Sequence, residues 1–278
     1  MKKKVSSQTR KRRKDIVFYT ILVIVLFFTL FPLLWMILAS FKTNAQLLNM
    51  ENLLVFEPTM KNYYNVFVTY DFIKPFYNSF YIALVSTVLA LLIGLPAAYA
   101  IARAKLHMFS GAILVIRIVP IITFLVPWYT LFSKLGLANT YISLILCHMI
   151  VALPLIVWIM IPHFETLPLE LEQSAWFDGC SRIGGFARIV LPLAVPGILT
   201  CSIMAFIFSW NNFMFALVLA STSTRTLPMA IFQFVAYSYT DWGGIMAAAT
   251  VITLPIIVIS LCLQRYVVAG MTAGAVKG

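Results

Sequence analysis

Between Leu171 and Pro196 the sequence places Glu172, Asp178, Arg182 and Arg188 among the small residues Ser174, Ala175, Gly179, Gly184 and Gly185. It is the longest charge-bearing interruption in the second half of an otherwise apolar chain. No His, Cys, Asp or Glu cluster has metal-ligand spacing, and no G-x-S-x-G or H-E-x-x-H run occurs. The Gly270–Gly278 ending is Gly-rich but lacks the spacing of a nucleotide loop and has no helix after it. The sequence therefore predicts no catalytic residue, no bound metal and no cofactor held by this chain. The chemistry that this charged stretch supports is recognition. Thr166 to Glu170 reads as a helix start, with Pro168 tolerated in a first turn and Glu170 and Glu172 matched to the positive end of the helix dipole. Gly184-Gly185 reads as the stop, giving about four turns. Small residues at 174, 175 and 179 let another surface approach the backbone, and Leu171, Trp176 and Phe177 supply apolar bulk. These features fit a helix docked in a partner's groove and equally an amphipathic helix resting on a membrane.

A second candidate is Trp210-Asn211-Asn212. Two adjacent amides in an apolar run are costly unless they face protein or water. They fit a solute path, with amides for hydroxyls and an indole for a sugar face, or hydrogen bonds that join helices. Arg117 is the only fully charged residue within an apolar span. It fits pairing to a carbonyl or a partner chain, or snorkelling from a span end. His148 reads as a polar contact inside a span.

The elements that must position these residues are membrane spans. The chain has 278 residues, 62% hydrophobic and 10% charged, with a mean hydropathy of +0.96. Soluble domains carry about 25% charged residues, so the class is an all-α integral membrane protein. A span needs about 20 apolar residues, and six stretches qualify: Ile16 to about Ser40, Phe76–Ile101, about Phe109–Phe132, Tyr141–Ile161, Leu193–Ala220 and Gly243–Leu263. Leu227–Tyr239 is too short and reads as re-entrant or interfacial, and Asn62–Phe72 as an aromatic-rich interfacial helix. Residues 1–15 form a basic tail carrying eight of the twenty Lys and Arg. With that tail inside, fourteen basic residues fall in inner segments and five in outer ones, with Arg117 inside a span. The bias favours N-in and C-in and puts the 166–192 loop in the cytoplasm. Without the tail it shrinks to six against five. The four Cys are scattered and form neither a metal site nor a disulfide framework. Nucleic-acid binding is not expected, because no aromatic interleaving accompanies the basic tail. All nine Asp and Glu lie in tails or loops, which argues against an ion-coupled secondary transporter. A channel would leave the charged stretch without a role.

The charged stretch resembles the signature loop of ABC importer permeases, E-A-A-x3-G-x9-I-x-L-P. It has Gln173-Ser174-Ala175, then Gly179, then Ile189, Leu191 and Pro192, with both intervals kept. Gln173 and Ser174 depart from the motif, and Glu172 sits one residue earlier. Asp178-Gly179, Phe31 to Trp35, Ser40-Phe41-Lys42, Asn62-Tyr63, Asn78-Ser79, Gly136 to Thr140 and the Gln264–Gly278 ending resemble the carbohydrate branch, in particular its second permease subunit. The resemblance implies a multi-pass protein of the bacterial cell membrane with a six-helix domain over 16–278. Its core would be about 76–266, with a coupling helix in the 166–192 loop. It implies ATPase-coupling roles for Glu172, Gln173, Ser174, Ala175, Asp178, Gly179, Ile189, Leu191 and Pro192. The implied partners are a second permease, an ATPase dimer that holds ATP and Mg, and an extracytoplasmic solute-binding protein, with a sugar-class substrate.

Overall fold

The structure is a computed structural model that describes residues 2–49, 53–235 and 239–273. In chain order the helices are α1 (Lys2–Ser40), α2 (Asn44–Leu48), α3 (Lys61–Tyr64), α4 (Ile73–Arg103), α5 (His107–Ile118), α6 (Ile122–Lys134), α7 (Tyr141–Glu165), α8 (Leu169–Phe177), α9 (Arg182–Gly185), α10 (Leu191–Leu193), α11 (Val195–Trp210), α12 (Met214–Leu219), α13 (Leu227–Ala230) and α14 (Trp242–Ala273). No strand occurs among the described residues; one isolated antiparallel bridge pairs Val235 with Thr240. Among the described residues four helices are long and apolar enough to cross a membrane, or up to six spans if each of two bent pairs is one. The last five residues of the Gly270–Gly278 ending lie outside the described residues.

The chain forms two compact units, Met1–Tyr70 with Gln233–Val251 and Asp71–Phe232 with Ile252–Gly278. In the first, α1 runs unbroken from the basic tail, and its apolar residues from Ile16 to Phe28 are exposed. Asn62 is buried and donates to the carbonyls of Ser40 (2.7 Å) and Lys42 (2.8 Å). Lys42 is itself buried beside the rings of Trp35 and Phe56. The expected helix over Asn62–Phe72 is thus one α turn followed by a π turn, Asn65–Thr69, with its polar lead residue turned inward to satisfy backbone carbonyls. The short Leu227–Tyr239 run becomes α13 and a 3-10 turn, Ile231–Phe234, with residues 236–238 of that run outside the description.

The second unit is built on rows repeating every fourth residue. On α4 the buried row is Ser86, Ala90, Gly94, Ala98 and Ala102; on α7 it is Leu144, His148, Ala152, Ile156, Met160 and Phe164; on α11 it is Gly197, Cys201, Ala205 and Ser209. Residues four apart lie on one helix face. Small residues on α4 and α11 let backbones approach closely, which is how helices pack where lipid removes the hydrophobic drive. A Cβ on Gly94 would lie 2.9 Å from Ile156 Cγ2, and one on Gly197 would lie 2.6 Å from His163 Cδ2. His148 Nδ1 meets Ser209 Oγ at 2.5 Å, and Ser209 Oγ meets Ser86 Oγ at 3.3 Å, so a buried polar chain joins the three helices.

The third and fifth expected spans are broken. α5 and α6 meet at 90°, at Pro120 rather than at Pro127. A proline disfavours helical backbone in the residue before it, and Val119 is extended (φ −67°, ψ 122°). Pro127 stays inside α6. The Arg182–Leu193 segment meets α11 at 78°, between Pro192 and Pro196. The fifth stretch also stops at Trp210, and α12 starts again after Asn211-Asn212-Phe213.

Candidate functional site: the α8–α9 segment

α7 ends at Glu165, and Pro168 (φ −58°, ψ 129°) turns the chain into α8. α8 stops after nine residues. Gly179 has φ +85°, its amide donates to Trp176 O (3.1 Å), and the Cys180 amide donates to Ala175 O (2.9 Å). This pair of bonds around a left-handed glycine is a Schellman stop. Ser181 then caps α9, its Oγ accepting from Gly184 N at 3.1 Å, and a π turn, Phe186–Val190, leads to α10. The helix stop expected at Gly184-Gly185 is therefore corrected to Gly179. The left-handed turn consumes that glycine, while Gly184 and Gly185 lie inside the next helical turn. Gly185 is buried, and a Cβ there would lie 3.0 Å from Trp176 Nε1, so its smallness seats the indole.

α8 has an inner and an outer face. Glu172 is 1% exposed. Its Oε1 accepts from Arg103 Nε (2.8 Å) and pairs with Arg103 Nη2, and its Oε2 accepts from the Tyr99 hydroxyl. Arg103 Nη1 also donates to Leu167 O at 3.2 Å, and the guanidinium lies 5.8 Å from the Tyr99 ring centroid. The Tyr99 ring packs on Phe186 (4.7 Å) and Phe164 (5.9 Å). This is the only ion pair among the described residues. Ala175 is buried beside it. On the outer face Gln173, Ser174, Asp178 and Gly179 are exposed, and Gln173, Trp176 and Phe177 bound a surface depression of about 440 Å³. Phe177 is 90% and Ile183 81% exposed. Arg182 lies over the Trp176 ring at 5.6 Å. Ile189 and Leu191 are half-buried and Pro192 is exposed.

The structure thus divides the residues expected to couple to the ATPase. Gln173, Ser174, Asp178, Gly179 and Pro192 reach the surface, whereas Glu172 and Ala175 face inward. Tyr99 and Arg103 were not singled out in the sequence. Their signal is modest, an i, i+4 aromatic–cation pair at the end of a span, with the acid it meets sixty-nine residues from Arg103. In the Trp210-Asn211-Asn212 set, Trp210 is 1% exposed. Its Nε1 donates to Ile252 O (3.1 Å) and its ring packs on Phe76 and Phe206. Asn212 Oδ1 accepts from Phe215 N (3.1 Å) and caps the start of α12. Only Asn211 is exposed. Here Trp210 packs helices, and no sugar face is open on it. Arg117 is exposed at the last turn of α5, 4.8 Å from the Trp158 ring centroid. It borders a cavity of about 390 Å³ at the α5–α6 break, with Phe124, Trp128 and Pro154.

The inner face of α8 is fixed, its C-terminal stop is sharp, and Phe177 on α8 and Ile183 on α9 stand exposed. Comparison with known proteins identifies the system. Residues 86–273 match the model of the binding-protein-dependent transport system inner membrane component. The chain belongs to that family. Over 257 residues it is 37% identical to the trehalose transport system permease protein SugB of Mycobacterium tuberculosis, covering 90% of this chain and 93% of that one. It is 35% identical to the trehalose/maltose transport system permease protein MalG of Thermococcus litoralis, covering 90% and 92%. In fold it is similar to a chain of a bacterial ABC transporter that imports the acidic polysaccharide alginate, with a TM-score of 0.77, 19% identity and 92% and 96% coverage. As a family member this chain is the membrane component of a transport system, and the α8–α9 segment lies within the matched region.

Proposed function

We propose that this permease carries a sugar-class solute across a bacterial cell membrane as one of two paired permease subunits, driven by an ATPase dimer and supplied by an extracytoplasmic solute-binding protein. The chain crosses the membrane six times with both ends inside, counting each bent pair as contributing one span. The α8–α9 segment seats in a groove of the ATPase, with Phe177 as its central apolar anchor and Gln173, Ser174, Asp178, Gly179 and Pro192 around it. ATP and Mg bind the ATPase, and this chain binds neither. The observation that carries the reading is an outer face of α8 that leaves Phe177 90% exposed on a helix whose inner face is locked. A large bare aromatic on a rigid element is the usual core of a protein–protein contact. The sugar class is supported by relatives named for trehalose and maltose transport.

The test is gentle detergent purification of the tagged chain from its native membrane, with mass spectrometry of what accompanies it, followed by solute screening of any co-purifying binding protein. A second permease and an ATPase are expected, with the ATPase lost on Phe177→Ala. Recovery of the chain alone, where a control importer stays intact, returns the reading to a channel or a secondary transporter.

A further inference from the structure

We infer that Tyr99, Arg103 and Glu172 form the linkage through which a displacement of α8 is passed to the spans, and that Glu172 acts by positioning α8 and not by touching the ATPase. This rests on the reading of α8–α9 as the ATPase-facing segment.

Glu172 is enclosed, and both its oxygens are occupied by groups of α4. Arg103 spends Nε and Nη2 on that carboxylate and Nη1 on Leu167 O. One planar guanidinium therefore holds both α8 and the turn that precedes it. A forked guanidinium–carboxylate pair fixes angle as well as distance, which an ammonium does not. Arg103 is the last residue of α4, whose Ala90, Ala98 and Ala102 lie in one core with Ala152, Ile156, Met160 and Phe164 of α7. A push on α8 thus meets a block of two packed spans through one stiff joint. The chain on either side of α8 is bent, at Thr166–Pro168 and at Gly179. The joint is also favourably placed for charge, with the acid in the first turn of its helix and the cation in the last turn of its own.

The test uses the assembled permease–ATPase complex in lipid nanodiscs, with Cys180→Ser and Cys262→Ser as background and spin labels at Glu170→Cys on α8 and Leu92→Cys on α4. The distance between labels is measured by pulsed EPR without nucleotide and with ATP–vanadate. In the parent a single distance that does not shift is expected, because α8 and α4 travel together. In Glu172→Ala, nucleotide is expected to shift and broaden it, changing the ratio of shifted to unshifted populations by roughly 5–150-fold, the usual range of coupling between sites. Tyr99→Phe and Arg103→Lys, which keep the charges, serve where Glu172→Ala does not assemble; each is expected to give a smaller shift. A shift in the parent, or none in any variant, overturns the linkage. An ATPase that does not bind the parent at all, seen by pull-down before labelling, overturns the docking reading, and the linkage falls with it.

Discussion

Gly179 separates the two demands placed on the segment proposed to seat in the ATPase. Its φ of +85° lies in the left-handed region, where an ordinary L-residue costs ~1–2 kcal/mol. At about 1.4 kcal/mol per decade, that strain weakens any interaction needing the sharp stop by roughly 5–30-fold. No atom lies within 4 Å of a Cβ built on Gly179, so within this chain Ala carries the backbone strain and no clash. Asn, which tolerates left-handed backbone best, carries less. The assay is ATPase retention by the tagged permease, titrated to an apparent Kd, with insertion checked by the amount of permease in the membrane. The expected order of affinity is Gly, then Asn, then Ala within about 30-fold of Gly. Gly179→Arg is expected to lose at least a further ~10-fold, because a partner surface closing over the glycine has room for a methyl and not for a guanidinium. If Arg and Ala weaken retention equally, no partner approaches Gly179 and the docking geometry is wrong.

Other perturbations test the packing that holds this site. Gly197→Val drives a side chain into the His163 ring, 2.6 Å from the built Cβ, and should destabilise the permease by ~1–3 kcal/mol in thermal unfolding. Gly111→Ala, in the interior of α5 with nothing within 4 Å, should be neutral or stabilise by up to ~1 kcal/mol. Asn78 donates to Ser223 O (3.0 Å) and Arg225 O (2.8 Å) and accepts from the Tyr141 hydroxyl (2.7 Å). Asn78→Ala should cost ~1–3 kcal/mol and raise amide hydrogen exchange over residues 221–227. Ser209→Ala breaks the chain from His148 to Ser86 and should cost only ~0.6 kcal/mol, the average for hydrogen bonds between membrane helices, read by unfolding in mixed micelles.

Helix content and the place of the charged stretch were legible because span length and charge position are one-dimensional quantities. The breaks were less so. Pro32, Pro96, Pro120, Pro127, Pro154 and Pro255 look alike in sequence, yet the chain breaks at Pro120 and stays helical at the others. Tolerance depends on neighbours that re-satisfy the freed carbonyls, and these are set by tertiary packing. The same limit explains Gly184-Gly185. Two consecutive glycines outweigh one as a local stop signal, but only the fold reveals that Gly185 is needed small beneath Trp176. Facing direction was the largest omission. Residues 172 and 173 are adjacent, and no local rule says which of them meets α4. The answer rests on Arg103, sixty-nine residues away, and on Tyr99 one turn before it.

That burial also decides what the ion pair contributes. Removing one partner of an enclosed pair leaves an uncompensated charge and costs ~3–5 kcal/mol. Arg103 keeps 18% of its side-chain surface, which places it at the lower end. Replacing the whole cluster with apolar groups of similar volume is often neutral or stabilising. Tyr99→Phe/Arg103→Met/Glu172→Leu should therefore unfold no earlier than the parent, while Glu172→Leu alone unfolds earlier. Stability and orientation then part company. Apolar side chains pack α8 against α4 without fixing its angle, so the triple variant should retain its fold and lose ATP-driven transport. A triple variant that is both stable and fully active would mean that apolar contact between α8 and α4 suffices, and that the forked geometry of Arg103 on Glu172 is not what carries motion to the spans.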